Sequence, residues 1–162
     1  EKKQLADLKI YCLILKHGTI ECKHISGSSY QEEMDFIVQS DKRNKYIRNL
    51  ASGLQGNTLV LFQYVEKHGK DLYESIKQKA TDKQVFYVYG GVETDEREKI
   101  REITEKSDNA IIVASYGTFS TGINIRNLHN IIFASPLSAN QRITGQRVGA
   151  YTQPLPTSFQ AR

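Results

Sequence analysis

From Thr58 onward, short and almost uniformly apolar segments recur along the chain: Thr58-Leu-Val-Leu-Phe62, Val85-Phe-Tyr-Val-Tyr89, Ala110-Ile-Ile-Val-Ala114 and Asn130-Ile-Ile-Phe-Ala134. Five-residue runs without polar alternation are what strands covered on both faces of a parallel sheet require. Between the first two, Lys70 to Lys79 places Leu72, Tyr73 and Ile76 on one helical face. Between the second and third, the highly charged stretch Thr94 to Glu105 carries Ile100 and Ile103 as its buried stripe, and Thr94, Asp95 and Glu96 suit the positive end of a helix dipole. Strand, crossover, strand in repetition predicts an α/β fold, a doubly wound, mainly parallel sheet with flanking helices.

The pattern before Thr58 is less regular. Leu8-Lys-Ile-Tyr-Cys-Leu-Ile-Leu15 has β-type content and ends at His17-Gly18, which predicts a strand. Gly27-Ser-Ser breaks the chain, Tyr30 to Gln39 has helical spacing through Met34, Ile37 and Val38, and Asp41 is placed to cap a second helix with Tyr46, Ile47 and Leu50 on one side. Whether the first fifty residues join the sheet or pack as an extension stays open. The division expected is 1–57 as an N-terminal strand and helical segment, 58–149 as the core, and 150–162 as a tail. Beyond Ala150 two prolines and no periodicity predict disorder.

Composition narrows the class only modestly. In 162 residues, 39% apolar content suits one domain with a real core, and no apolar run approaches the roughly 20 residues of a bilayer span. No membrane association and a cytoplasmic location are therefore expected. Cys12 and Cys22 form no C-x-x-C pattern, and His17, His24, His68 and His129 lack ligand spacing, so reduced structural thiols are expected and no metal site. The net charge of +4 leans towards polyanionic partners. The cluster Lys42, Arg43, Lys45 and Arg48 reads as the solvated face of a helix.

The third strand empties into the segment with the most chemistry. Ser115 to Ile125 holds five hydroxyl groups and two glycines in eleven residues. At the carboxyl end of a parallel strand, such a loop supplies donors and close backbone approach to phosphates.

Taken in order, Thr58-Leu-Val-Leu-Phe-Gln-Tyr-Val65, Tyr87-Val-Tyr-Gly-Gly91, Ile111 to Asn124, Asn130-Ile-Ile-Phe-Ala-Ser-Pro136 and Gln146-Arg-Val-Gly149 resemble the second motor domain of superfamily 2 helicases. The resemblance spans about Leu8 to Gly149 and implies a RecA-like fold, ATP and Mg²⁺ as cofactors held mainly by a first motor domain, and DNA, branched or single-stranded, gripped through its backbone. Residue by residue, it implies DNA contacts at Gln63 and Tyr64, at Gly90 and Gly91, and at Thr118, Ser120 and Thr121. Without it, Gln63 and Tyr64 read as an ordinary loop with a packing aromatic, and Gly90-Gly91 equally as a plain turn. Gly122 and Asn124 would border the ATP γ-phosphate, and Gln146 and Arg147 would open the last motif on the ATP side.

Two departures matter. Many relatives carry Asp where this chain has Asn124, which removes a negative charge. The family's Gln-Arg-x-Gly-Arg-x-x-Arg would place arginines at 150 and 153, where Ala150 and Gln153 stand. An arginine at such a position stabilises charge on a transferred phosphoryl group, so the isolated chain is expected to be inactive. The abrupt end of the fit at Gly149 suggests a non-native tail. Neither a G-x-x-x-x-G-K-[ST] loop nor an acidic pair for Mg²⁺ is present; both would belong to the first motor domain, preceding Glu1. The competing expectation is a non-catalytic nucleic-acid-binding or protein-interaction module on the same fold.

Overall fold

A computed structural model describes residues 9–120 and 125–136, with the backbone alone at 119 and 120. Among the described residues, four strands, β1 (Thr58–Phe62), β2 (Gln84–Val88), β3 (Ala110–Ser115) and β4 (Asn130–Phe133), form one sheet in the order β2-β3-β1-β4. Every pairing is parallel, with Thr58 opposite both Ile111 and Asn130, and Val85 opposite Ile111. All four carboxyl ends therefore leave along the same edge.

Side-chain alternation on the central strands builds two cores. Val60 and Phe62 of β1, Ile111 and Val113 of β3, and Ile132 of β4 face α3 (Asp41–Gly53) and α4 (Lys70–Lys79), which contribute Ile47, Leu50, Ala51, Leu72 and Ile76. Leu59, Leu61, Ile112, Ala114 and Val88 face the other way, towards Ile100 of α5 (Thr94–Lys106) and the segment carrying Ile125 and Leu128. A sheet covered on both faces is the doubly wound α/β architecture that the apolar runs predict. Full burial holds only for β1 and β3; among the described residues β2 and β4 are the outer strands and are partly exposed.

Asn57 is the most heavily bonded tie at the amino-terminal edge. Asn57 is fully buried, and its side-chain oxygen accepts from the Ala110 N–H at 2.9 Å. Its amide nitrogen lies 2.9, 2.6 and 2.7 Å from the carbonyls of Thr104, Ser107 and Asn127. Two N–H groups shared among three acceptors leave nothing unsatisfied on that amide. Its backbone N–H donates to Nδ1 of His129 at 3.1 Å. The preceding Gly56 has φ +81 and sits where a Cβ would stand 2.6 Å from the His129 ring, so this turn has two independent reasons for glycine.

Several local expectations are corrected. Residues 9–18 form neither helix nor strand, so the strand expected over Leu8–Leu15 is not formed among the described residues; Ile10 and Ile14 are more than three-quarters exposed. β-type composition needs a neighbouring edge and a covered face before it becomes a strand. The helices α1 (Thr19–Ile25) and α2 (Tyr30–Val38) follow instead. Ser40, not Asp41, caps α3, its hydroxyl accepting from the Arg43 N–H. On α5 the inward position after Ile100 is Thr104, whose hydroxyl donates to the Ile100 carbonyl at 2.8 Å, while Ile103 is exposed. Four residues from Ile100 return to the same face more closely than three. Cys12 and Cys22 are free thiols, but exposed, not structural. Among the described residues no helix is long and apolar enough to cross a membrane.

Candidate functional site

The carboxyl ends of β1, β2, β3 and β4 bring Gln63 and Tyr64, Gly90 and Gly91, Ser115 to Ser120, and Ala134 and Ser135 to one edge of the sheet. At the end of β1 the chain enters a π-helical turn, Val65–Gly69, in which the Gly69 N–H donates to the Tyr64 carbonyl at 2.8 Å. Such wide turns are rare and concentrate at functional places. This one turns His68 and Gly69 inward; a Cβ on Gly69 would stand 2.3 Å from the buried Phe62 ring.

His68 then anchors a directed chain of hydrogen bonds. Asn44 on α3 donates its amide nitrogen to the Val38 carbonyl at 2.8 Å, which turns its oxygen towards His68 Nε2 at 3.0 Å. Nε2 must carry the proton, leaving Nδ1 to accept from the Ser135 hydroxyl at 3.1 Å. Ser135 Oγ in turn accepts from the Gln63 N–H at 3.0 Å. Burial, with Arg43 nearby, pushes the His68 pKa down to about 4, so the ring is neutral. Arg43 donates to the Ala134 carbonyl, and the Tyr116 hydroxyl donates to the Ser135 carbonyl at 2.8 Å. Burial raises the pKa of Tyr116 to about 12.

The residues singled out in the sequence are distributed unevenly over this edge. Of Gln63, expected to contact DNA, the backbone N–H donates to Ser135, while the side-chain amide makes no hydrogen bond among the described residues. Tyr64 is half-buried and caps the π-helical turn. Gly90 and Gly91 are exposed and lie in a four-residue turn closed by the Val92 N–H to the Tyr89 carbonyl at 3.0 Å. Arg97 braces it from α5, reaching the Val92 and Gly90 carbonyls at 2.7 and 3.2 Å. Thr118 is buried in the short helix α6 (Tyr116–Ser120), with its hydroxyl 2.8 Å from that of Ser115. Ser120 ends α6. Thr121, Gly122, Asn124, Gln146 and Arg147 lie outside the described residues, as does the tail from Ala150.

Nothing in the sequence pattern assigns Arg43, Asn44, His68 or Ser135 to this edge. Arg43 was grouped with a solvated basic face, yet it is half-buried and reaches across to β4. Its position three residues after Ser40, adjacent to the apolar side of α3, was the available signal.

The model of the helicase conserved C-terminal domain matches residues 41–149, about two-thirds of the chain and the whole of the sheet just described. This chain belongs to that helicase family. The chain is also 40% identical over 137 residues, 83% of its length, to the ATP-dependent DNA helicase uvsW of Enterobacteria phage T4. The crystal structure of T4 UvsW superposes on 71% of the chain with a TM-score of 0.64 at 39% identity. The chain spans about a quarter of either relative, 27% of the sequence and 23% of the crystallised chain. The RecA-like α/β fold agrees with that membership.

Proposed function

We propose that this helicase C-terminal domain is the second motor domain of an ATP-dependent DNA helicase or translocase that remodels branched DNA. The observation that carries the reading is the convergence of Gln63, Gly90-Gly91 and the Ser115–Ser120 segment at one strand-end edge, in a chain of this family that is 40% identical to a DNA helicase. In this reading the edge touches the phosphate backbone and not the bases, so binding is salt-sensitive and nearly indifferent to sequence. Ser115 and Thr118 hold the start of the loop through their mutual hydroxyl bond, and the residues beyond, Ser120 and Thr121, supply donors to phosphate. Gly90 and Gly91 let the backbone approach closely.

ATP would lie between this domain and a first motor domain, bordered here by Gly122, Asn124, Gln146 and Arg147. Among the described residues no group of three or more His, Cys, Asp or Glu side chains could hold a metal ion. Mg²⁺ is assigned, in this proposal, to the first motor domain, as the family resemblance implies. The host-cell cytoplasm is the corresponding place of action.

A second reading, a binding module that does not turn over ATP, is favoured by one observation: Ala150 and Gln153 stand where the family has arginines. Joining the chain to a phosphate-loop-bearing first motor domain and measuring DNA-stimulated ATPase separates the two. The motor reading expects ATPase to rise by on the order of 10³-fold once Ala150→Arg and Gln153→Arg are introduced together. DNA binding without any such gain would leave the binding module.

A further inference from the structure

We propose that Arg43 forms, with the carboxyl end of β4 and the neighbouring Gln63, a binding site for a phosphate oxyanion, a contact additional to the strand-end loops. The inference rests on the motor-domain reading and extends it to a residue of α3.

The first support is an uncompensated charge. The Arg43 guanidinium is half-buried, with one hydrogen bond, to the Ala134 carbonyl, and no carboxylate partner among the described residues. Taking a guanidinium out of water without a counterion is costly, and proteins ordinarily pair such groups. Its place adds to the cost: Lys42 and Arg43 stand in the first turn of α3, at the positive end of the helix dipole, where cations are disfavoured. Asp41 shares that turn but is exposed and makes no ion pair with Arg43.

The second support is independent and comes from the sequence around the strand ends. After Asp108 the chain has no Asp or Glu side chain at all; residues 109–162 contain four arginines and no lysine. Nothing in β3, β4 or the segments following them can therefore neutralise Arg43 with a side-chain carboxylate. His68 beside it is neutral and hydrogen-bonded at both ring nitrogens, so it offers neither competing charge nor a free donor. The Gln63 side-chain amide, by contrast, is uncommitted among the described residues, one position beyond the strand that pairs with β4. A guanidinium held in place, with donors to spare and no anionic partner among the described residues, matches two oxygens of a phosphate group. That phosphate belongs either to a nucleic-acid backbone or to a nucleotide.

The chain and its Arg43→Gln and Arg43→Lys variants are to be titrated with a single-stranded oligonucleotide at several salt concentrations, with a triphosphate analogue, and with inorganic phosphate. A backbone contact is expected to show as a roughly ten-fold loss of oligonucleotide affinity in Arg43→Gln, a log–log salt slope shallower by about 0.7, and restoration of the slope in Arg43→Lys. Loss confined to the triphosphate analogue would assign the site to a nucleotide. Equal binding of all probes by wild type and a folded Arg43→Gln overturns the proposal and leaves Arg43 as a brace on β4. If the wild type binds no oligonucleotide, the motor reading fails separately; the site then stands or falls on the inorganic-phosphate arm. Should Arg43→Gln not fold, the Arg43 Nε–H resonance of the wild type decides, shifting on phosphate addition if the site exists and remaining fixed if it does not.

Discussion

His68 is the residue whose environment makes the sharpest prediction. Its pKa of about 4 in the fold lies below the ordinary histidine value of 6.5. Between those values the unfolded chain takes up a proton that the folded chain refuses, so stability is complete above about pH 6.5 and is lost as pH falls towards 4. The full difference corresponds to about 3 kcal/mol. Thermal melting from pH 7.5 to 4 is expected to show that decline, and His68→Gln, which keeps hydrogen-bonding capacity without titrating, to flatten it. An unchanged pH slope in His68→Gln would exclude the mechanism. None of this was visible in the sequence, where His68 was one of several histidines without ligand spacing. What gives it meaning is the juxtaposition of Asn44 and Ser135, 24 residues before and 67 after. Arg43 was misread for the same reason: a basic residue on a predicted helix carries no mark of the carbonyl it will meet 91 positions later.

Among the elements, the strands were the most legible. β1 runs over Thr58–Phe62 as its apolar segment predicts, β3 extends by one residue to Ser115, and β2 and β4 shift by a residue or end one short. Their apolar content reports burial, and in a parallel sheet burial and strand identity nearly coincide. α4 likewise occupies Lys70–Lys79. The π-helical turn after β1 could not be foreseen, because it is imposed by packing: Gly69 lies against the Phe62 ring, and the extra residue in the turn carries His68 inward. Gly69→Ala is therefore expected to cost about 1–3 kcal/mol through overpacking against a ring that has no free space. Gly90→Ala, where an added Cβ meets nothing within 4 Å, is expected to stay within about 0.5 kcal/mol of wild type. Denaturant titration of the two variants checks the contrast; similar losses in both would show that the turn's packing is not what selects glycine at 69. The segment 9–15 failed as a strand for the converse reason. Its composition is suitable, but composition does not supply an edge to pair with.

Across the molecule, the two edges of the sheet have different characters. The amino-terminal edge is closed by the buried Asn57 and its hydrogen bonds to Thr104, Ser107, Asn127 and Ala110, a purely structural fastening. The carboxyl-terminal edge holds the exposed turn at Gly90-Gly91, the start of the hydroxyl-rich loop and Arg43, and no acidic side chain follows Asp108 in the chain. Fold class and the position of that edge followed from the order of apolar runs alone. The Ser135 connection did not, since a serine after a strand has no distinguishing pattern. Ser135 joins the ends of two neighbouring strands through the Gln63 amide and joins both to His68. The stretch after β4 and the stretch after β1 consequently cannot drift apart without breaking a shared latch. The bond from the Gln63 N–H to Ser135, 72 positions later, adds to that of the Ala134 N–H with the Leu61 carbonyl in holding the two strand ends together. Ser135→Ala is expected to speed hydrogen exchange at the Gln63 amide while the β1 ladder keeps its protection; a Gln63 amide as slow as in the wild type would show that the two strand ends move as one for some other reason.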